Sequence, residues 1–106
     1  MTEEETTEAK PEKHSDDNVI FIGSKPFMNY VTAVVMQFTK KGCTEVIVKA
    51  RGQFISRAVD VAEVARKRFL DQQNINVGDI KIDSQEMKSK EGRTVNVSTI
   101  EITLRK

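Results

Sequence analysis

The residue types with chemical reach in this 106-residue chain are overwhelmingly cationic. Lys25 follows Gly23 closely and directly precedes Pro26. Lys49 and Arg51 bracket Ala50 just ahead of Gly52, with Arg57 soon after, while Lys88, Lys90 and Arg93 crowd one short segment. Glycine lets a backbone come close to a phosphate, and the free N–H groups at a helix start favour the same anion. Asn29 and Tyr30 follow Lys25 closely enough to add a hydrogen-bonding group and a ring to the same place. The equipment for catalysis is sparse by comparison. His14 is the only histidine and Cys43 the only cysteine. There is no Cys/His cluster at metal spacing, no Gly-rich phosphate cradle, and no serine with a histidine base in residues 18–106. These residues point to binding of a polyanion, with no enzyme activity, metal or cofactor expected.

The formal net charge of +1 conceals a segregation of signs. Residues 1–17 carry seven acids against Lys10 and Lys13, a net of −5. Residues 18–106 carry fifteen Lys or Arg against nine Asp or Glu, a net of +6. The acidic stretch has no large apolar residue beyond Met1, so it cannot bury enough surface to offset the entropy of ordering. It is expected to be a disordered tail that competes weakly for the basic surface. The rest is long enough for one domain. No apolar run approaches the roughly 18 residues of a bilayer span, and the acidic N-terminus does not resemble a signal peptide. A single cysteine cannot form an intramolecular disulfide, which agrees with a reducing compartment. A cytoplasmic, membrane-free protein is expected.

The elements that must carry these cations are legible from periodicity. Val19-Ile20-Phe21-Ile22, stopped by Gly23, reads as a short buried strand. A helix beginning at Pro26 follows, with Phe27, Val31, Val34 and Phe38 at helical spacing and Lys40-Lys41-Gly42 closing it. Alternation over Thr44–Ala50 gives a second strand, followed by a loop at Ala50-Arg51-Gly52-Gln53. A second helix, from about Phe54 to Leu70, has Ile55, Ala58, Ala62, Ala65 and Phe69 on its buried stripe and Glu63 facing Lys67. Two long strands, Asp79–Lys88 and Thr94–Arg105, flank a turn at Ser89–Arg93. In the last strand the apolar phase slips between Val95, Val97 and Ile100, Ile102, Leu104, which predicts a β-bulge near Ser98-Thr99. The distal half of the hairpin is then expected to project from the body.

The resulting order, β-α-β-α-β-β, fits an α+β fold with a four-stranded mixed sheet and two helices packed on one face. Both β-to-α loops should leave the same end of the sheet if their strands are parallel neighbours, and that end is where open sheets commonly bind ligands.

Three blocks carry a family resemblance. They are Ile22-Gly23-Ser24-Lys25-Pro26-Phe27-Met28-Asn29-Tyr30-Val31, then Ile47-Val48-Lys49-Ala50-Arg51-Gly52-Gln53-Phe54-Ile55-Ser56-Arg57-Ala58-Val59-Asp60, and Val97-Ser98-Thr99-Ile100-Glu101-Ile102. In this order, across residues 18–106, they closely resemble the Alba family of archaeal chromatin proteins. The resemblance implies the fold shared with the C-terminal domain of translation initiation factor three. It also implies a homodimer that binds double-stranded DNA without sequence preference, coats and compacts it in association with the chromosome, and binds RNA as well. By position, Lys25 matches the family's loop lysine and Arg51 its loop arginine. Lys88, Lys90 and Arg93 match its basic arm. Position alone adds Asn29, Lys49, Gln53 and Arg57 to the candidate contact set, and by the resemblance Phe69 matches an aromatic implicated in dimer–dimer contact along DNA.

Two positions depart from the pattern. Ser24 stands where many members have the first of tandem lysines, which leaves Lys25 as the local candidate for acetylation. Gln53 replaces an arginine, and Arg57 restores part of that charge, so binding somewhat weaker than in more basic relatives is expected. The principal rival reading is a mainly RNA-binding protein or ribonucleoprotein subunit, because a basic arm suits A-form helices too.

Overall fold

Along Glu45–Arg51 every second side chain (Val46, Val48, Ala50) is buried while its neighbours are not, so this strand has one covered face and one open one. The computed structural model describes residues 18–106, and the expected acidic tail at 1–17 lies outside the described residues. Its elements are β1 (Val19–Phe21), α1 (Phe27–Thr39), β2 (Glu45–Arg51), α2 (Ile55–Val64), β3 (Asn76–Lys88) and β4 (Thr94–Arg105). The strands form one sheet in the order β1-β2-β4-β3. β1 runs parallel to β2, and the other two pairs are antiparallel. This is the mixed α+β arrangement anticipated from the periodicity.

Both helices pack against β2. Since only one face of β2 is buried, they lie on the same side. Tyr30, Val31, Val34 and Phe38 of α1 meet Ala58, Val61 and Ala62 of α2 above Val46, Val48, Ile102 and Leu104. Burial of such apolar surface, roughly 25 cal/mol per Å², is what holds the layers together. The other sheet face carries Ile47, Lys49 and Arg51 of β2, opposite Thr103, Glu101 and Thr99 of β4.

The boundaries differ from expectation in instructive places. β1 ends at Phe21, although the Ile22 N–H still donates to the Lys49 carbonyl at 2.8 Å. Helix α1 starts at Phe27, one residue past Pro26, and Lys40 and Lys41 follow its end, with both N–H groups donating to the Met36 carbonyl. β2 starts at Glu45 and extends to Arg51, which is therefore the last residue of a strand and not part of a loop. A 3-10 turn, Gly52–Phe54, precedes α2. β3 begins earlier than Asp79, at Asn76.

No bulge occurs at Ser98-Thr99. There β4 pairs without interruption, Ser84 with Ser98 and Asp83 with Thr99, and the irregularity lies in β3 between Val77 and Ile80. The change of apolar phase has another cause. Ile100, Ile102 and Leu104 lie under the helices, whereas Val95 and Val97 lie on the opposite face of a ribbon that has run past the helical cover.

Helix two carries the largest departure. Beyond Val64 the backbone widens into a π turn, Ala65–Phe69, in which the Leu70 N–H donates to the Ala65 carbonyl at 3.0 Å. A π turn inserts one residue into the helical phase. Leu70 thereby takes the buried position expected for Phe69, and Phe69 is left 52% exposed. Glu63 is engaged by Arg66, three residues on, at 2.9 and 3.1 Å, not by Lys67 as its i, i+4 spacing suggested. Arg66 also donates to the Ile75 carbonyl at 3.3 Å and so ties the helix end to the approach of β3. Its hydrogen bond holds the Glu63 carboxyl below the usual carboxylate range.

Leu70→Ala should therefore cost about 2–5 kcal/mol of stability, while Phe69→Ala should stay within about 0.5 kcal/mol. Urea denaturation of both variants checks this; equal costs would contradict the π-turn phase.

Candidate nucleic-acid interface

Parallel pairing of β1 with β2 sets Val19 against Ile47 and Phe21 against Lys49. The segment Gly23-Ser24-Lys25 and the segment after Arg51 consequently emerge side by side. β2 and β4 are antiparallel with Arg51 opposite Thr99, so the β3–β4 ribbon continues beyond the sheet at that same end. Five further residue pairs, from Ser84–Ser98 to Lys88–Thr94, belong to the ribbon alone. At about 3.3 Å per residue they carry it roughly 17 Å further. Two loops and one arm thus share one end of the molecule.

A clamp fixes the first loop. The Tyr30 hydroxyl, on a buried ring, accepts a hydrogen bond from the Lys25 N–H at 3.0 Å. Arg57 reaches across from α2, donates to the Gly23 carbonyl at 2.8 Å, and lies 5.7 Å from the Tyr30 ring centroid. A Cβ on Gly23 would stand 3.3 Å from that hydroxyl, a tight contact that would push the hydroxyl aside by a few tenths of an ångström. In the second loop Gly52 has φ +58°, the left-handed region that side chains resist. This backbone turns the chain from Arg51 directly into the 3-10 turn. The tip of the arm is closed by Ser89, whose N–H donates to the Arg93 carbonyl at 2.8 Å and whose carbonyl accepts from the Gly92 N–H at 3.0 Å.

The sequence-derived residues divide accordingly. Lys25, Asn29, Arg51 and Gln53 are exposed around the two loops, and Lys88, Lys90 and Arg93 are exposed on the arm. Lys49 is half-buried on the open sheet face, 3.7 Å from Glu101 and 5.7 Å from the Phe21 ring centroid. Arg57 is also half-buried, and its guanidinium holds the loop backbone. Among the described residues no carboxylate bridges Lys25, Arg51, Lys88, Lys90 or Arg93, whereas Arg66 and Arg105 are both engaged by acids. The hydrogen bonds that Arg105 donates to Glu45 and then to Asp79 raise its pKa further above its ordinary value. Among the described residues there is no cluster of three or more potential metal ligands and no helix long and apolar enough to cross a membrane.

The two-residue clamp on the Lys25 loop was not visible in the sequence, since nothing in the spacing couples Arg57 to Gly23 across 34 positions. With this geometry in view, comparison with known proteins is decisive. The family model described as Alba matches residues 18–84. The chain belongs to the Alba family. A DNA/RNA-binding protein Alba 1 from Archaeoglobus fulgidus is 57% identical over 90 residues, covering 85% of this chain and 97% of the relative. A DNA/RNA-binding protein Alba from Nanoarchaeum equitans is 62% identical over 86 residues, covering 80% and 93%. Among solved structures, Alba from Thermoplasma volcanium superposes with a TM-score of 0.77 at 46% identity, covering 84% of this chain and all of the other. The α+β architecture is thus that of an Alba protein, with the Tyr30–Arg57 clamp as its local organiser.

Tyr30→Phe keeps the ring and deletes the acceptor for the Lys25 N–H. It should cost about 0.5–1.5 kcal/mol, measured by chemical denaturation, and should speed amide exchange at Lys25. An unchanged exchange rate would show that the loop is held by other means.

Proposed function

We propose that this Alba-family chain binds double-stranded DNA without sequence preference and RNA as well, and that it coats and compacts DNA as a homodimer. The observation that carries the reading is the emergence of both basic loops and the basic arm at one end of the sheet. The names of the relatives support DNA and RNA as ligands. Lys25 and Arg51 contact phosphates, with Asn29 and Gln53 hydrogen-bonding beside them and Lys49 at the edge of the site. Arg57 positions the Lys25 loop. Lys88, Lys90 and Arg93 follow the duplex backbone along a groove. Phosphate contacts position a protein without reporting base identity, which accounts for indifference to sequence. Affinity then derives mainly from counterion release: six to ten phosphate contacts by a dimer imply a fall of roughly 10³–10⁵ between 50 and 200 mM salt.

The homodimer is supported by an uncovered apolar strip. Ile80 and Ile82 stand opposite Ile102 and Ile100 on the helix side of the sheet, on the edge strand β3. The two isoleucines are 58% and 79% exposed. Ile55 shares a shallow concavity with Ile82 and Ile100, and Val59 continues the same side of α2 one turn on. A second copy laid against this strip removes it from water and sets two arms on one surface.

Lys25→Ala and Arg51→Ala should weaken binding to unrelated duplex sequences equally, each flattening the log–log salt slope by about 0.9 per lost contact. Fluorescence anisotropy over a salt titration checks this, and unchanged affinity in both variants would remove these loops from the site. Ile82→Glu should give a folded monomer in sedimentation equilibrium, with the duplex affinity reduced. A dimer surviving that substitution would move the interface elsewhere.

A further inference from the structure

Phe21 is the aromatic that the fold leaves without a purpose. It belongs to a three-residue edge strand, points to the sheet face that no helix covers, and is 68% exposed. Among the described residues the Lys49 ammonium is the group lying over it. In front of the ring is a concavity of about 490 Å³, bounded also by Phe54, Arg51, Gln85, Thr99 and Glu101. Gly23, at the root of the Lys25 loop, forms part of its rim.

The chemistry of this hollow is mixed. Its rim is cationic at Arg51 and at the neighbouring Lys25 loop. Its wall holds a carboxylate, a hydroxyl and an amide that accept and donate hydrogen bonds. The carboxylate of Glu101 would repel a phosphate, yet it accepts well from the exocyclic amino group of a base. An exposed ring, in-plane polar groups and a cation one sugar away are the parts that bind an unpaired base with its phosphate.

We propose that the open sheet face at Phe21 is a stacking site for an unpaired base of an RNA strand, adjoining the phosphate-reading surface used for duplexes and sharing Arg51 with it. Unpaired bases are where RNA offers its faces and edges to a protein, whereas a duplex keeps them stacked. The base stacks on Phe21, Gln85, Thr99 and Glu101 meet its edge, and Arg51 holds the adjoining phosphate. The inference rests on the nucleic-acid reading given above and extends it to single strands.

The test uses full-length protein, a twelve-nucleotide single-stranded RNA, the same sequence as DNA, and a blunt RNA duplex, all at one salt concentration. Phe21→Ala should weaken single-stranded RNA binding about tenfold, in the range of one lost base–aromatic stack, and leave duplex affinity within about twofold. Phe21→Trp should retain single-strand binding. A strand carrying 2-aminopurine should be quenched by the native protein and by Phe21→Trp but not by Phe21→Ala. An equal effect on the RNA and DNA strands would assign the site to the base alone, and a larger effect with RNA would add the ribose hydroxyl; either supports the stacking site. Equal single-strand affinity of the native protein and Phe21→Ala, or an equal loss for strand and duplex, would overturn it. So would a change in oligomeric state in Phe21→Ala without a change in quenching, since the ring would then serve protein association. Duplex binding that survives with a normal salt slope leaves the broader proposal standing when the stacking site fails. Loss of duplex binding in the native protein is the separate failure of that broader reading.

Discussion

Everything in this molecule depends on β2 having one dry face and one wet one. Val46, Val48 and Ala50 bury against both helices, and this fixes the register on either side: Ile20 beside Val48, Ile102 opposite it. With the side-chain period of a strand being two, a slip of one residue would bring Lys49 and Arg51 into the core. Two unpaired charges buried there would cost far more than the strand could recover. The placement of the cations and the packing of the core are therefore one constraint seen from two sides.

That constraint also explains why three distant segments meet. Parallel pairing sends β1 and β2 out at the same end, and antiparallel pairing makes β4 enter there as β2 leaves. A long ribbon that stays paired to its own partner after the sheet has ended must then project past the loops. The sheet bulge between Val77 and Ile80 lies at the opposite end of β3, close to Arg105, Glu45 and Asp79, whose ion pairs fasten the base of the ribbon. One end of the ribbon is pinned by charge pairs; the other presents cations unpaired by described carboxylates.

Much of this was legible in the residue pattern, because patterns of burial repeat at the period of the backbone. The order of elements and the joint emergence of the loops follow from alternation in Glu45–Arg51 and helical spacing in Phe27–Phe38. The bulge at Ser98-Thr99 from which a projecting arm is expected does not exist; the arm follows instead from strands longer than the sheet. What the pattern concealed has physical reasons. Val19–Ile22 is apolar throughout, so nothing in it distinguishes the inward Ile20 from the outward Phe21. The π turn changes the helical phase by one residue, and Ala65 followed by Phe69 and Leu70 satisfies either phase equally well. The switch from Ile100 to Val97 is equally consistent with a bulge and with a change of covered face, and only the limits of the helices decide between them. The Arg57–Gly23 bond joins elements far apart in the chain, beyond the range of any local signal.

The clamp on the Lys25 loop bears on how a modest number of cations can suffice. A phosphate-binding loop that is mobile must lose backbone entropy on contact, about 1–2 kcal/mol for each residue fixed. Here Tyr30 holds the Lys25 N–H and Arg57 holds the Gly23 carbonyl, so that loss is incurred on folding instead. One Arg57 donor, Nη1, is thereby committed to the loop backbone. The loop backbone is thus set in place relative to α1 and α2 before any ligand arrives. For a ligand whose phosphates repeat at a regular spacing, fixed positions are worth more than additional mobile charge, because every contact can form without rearranging another.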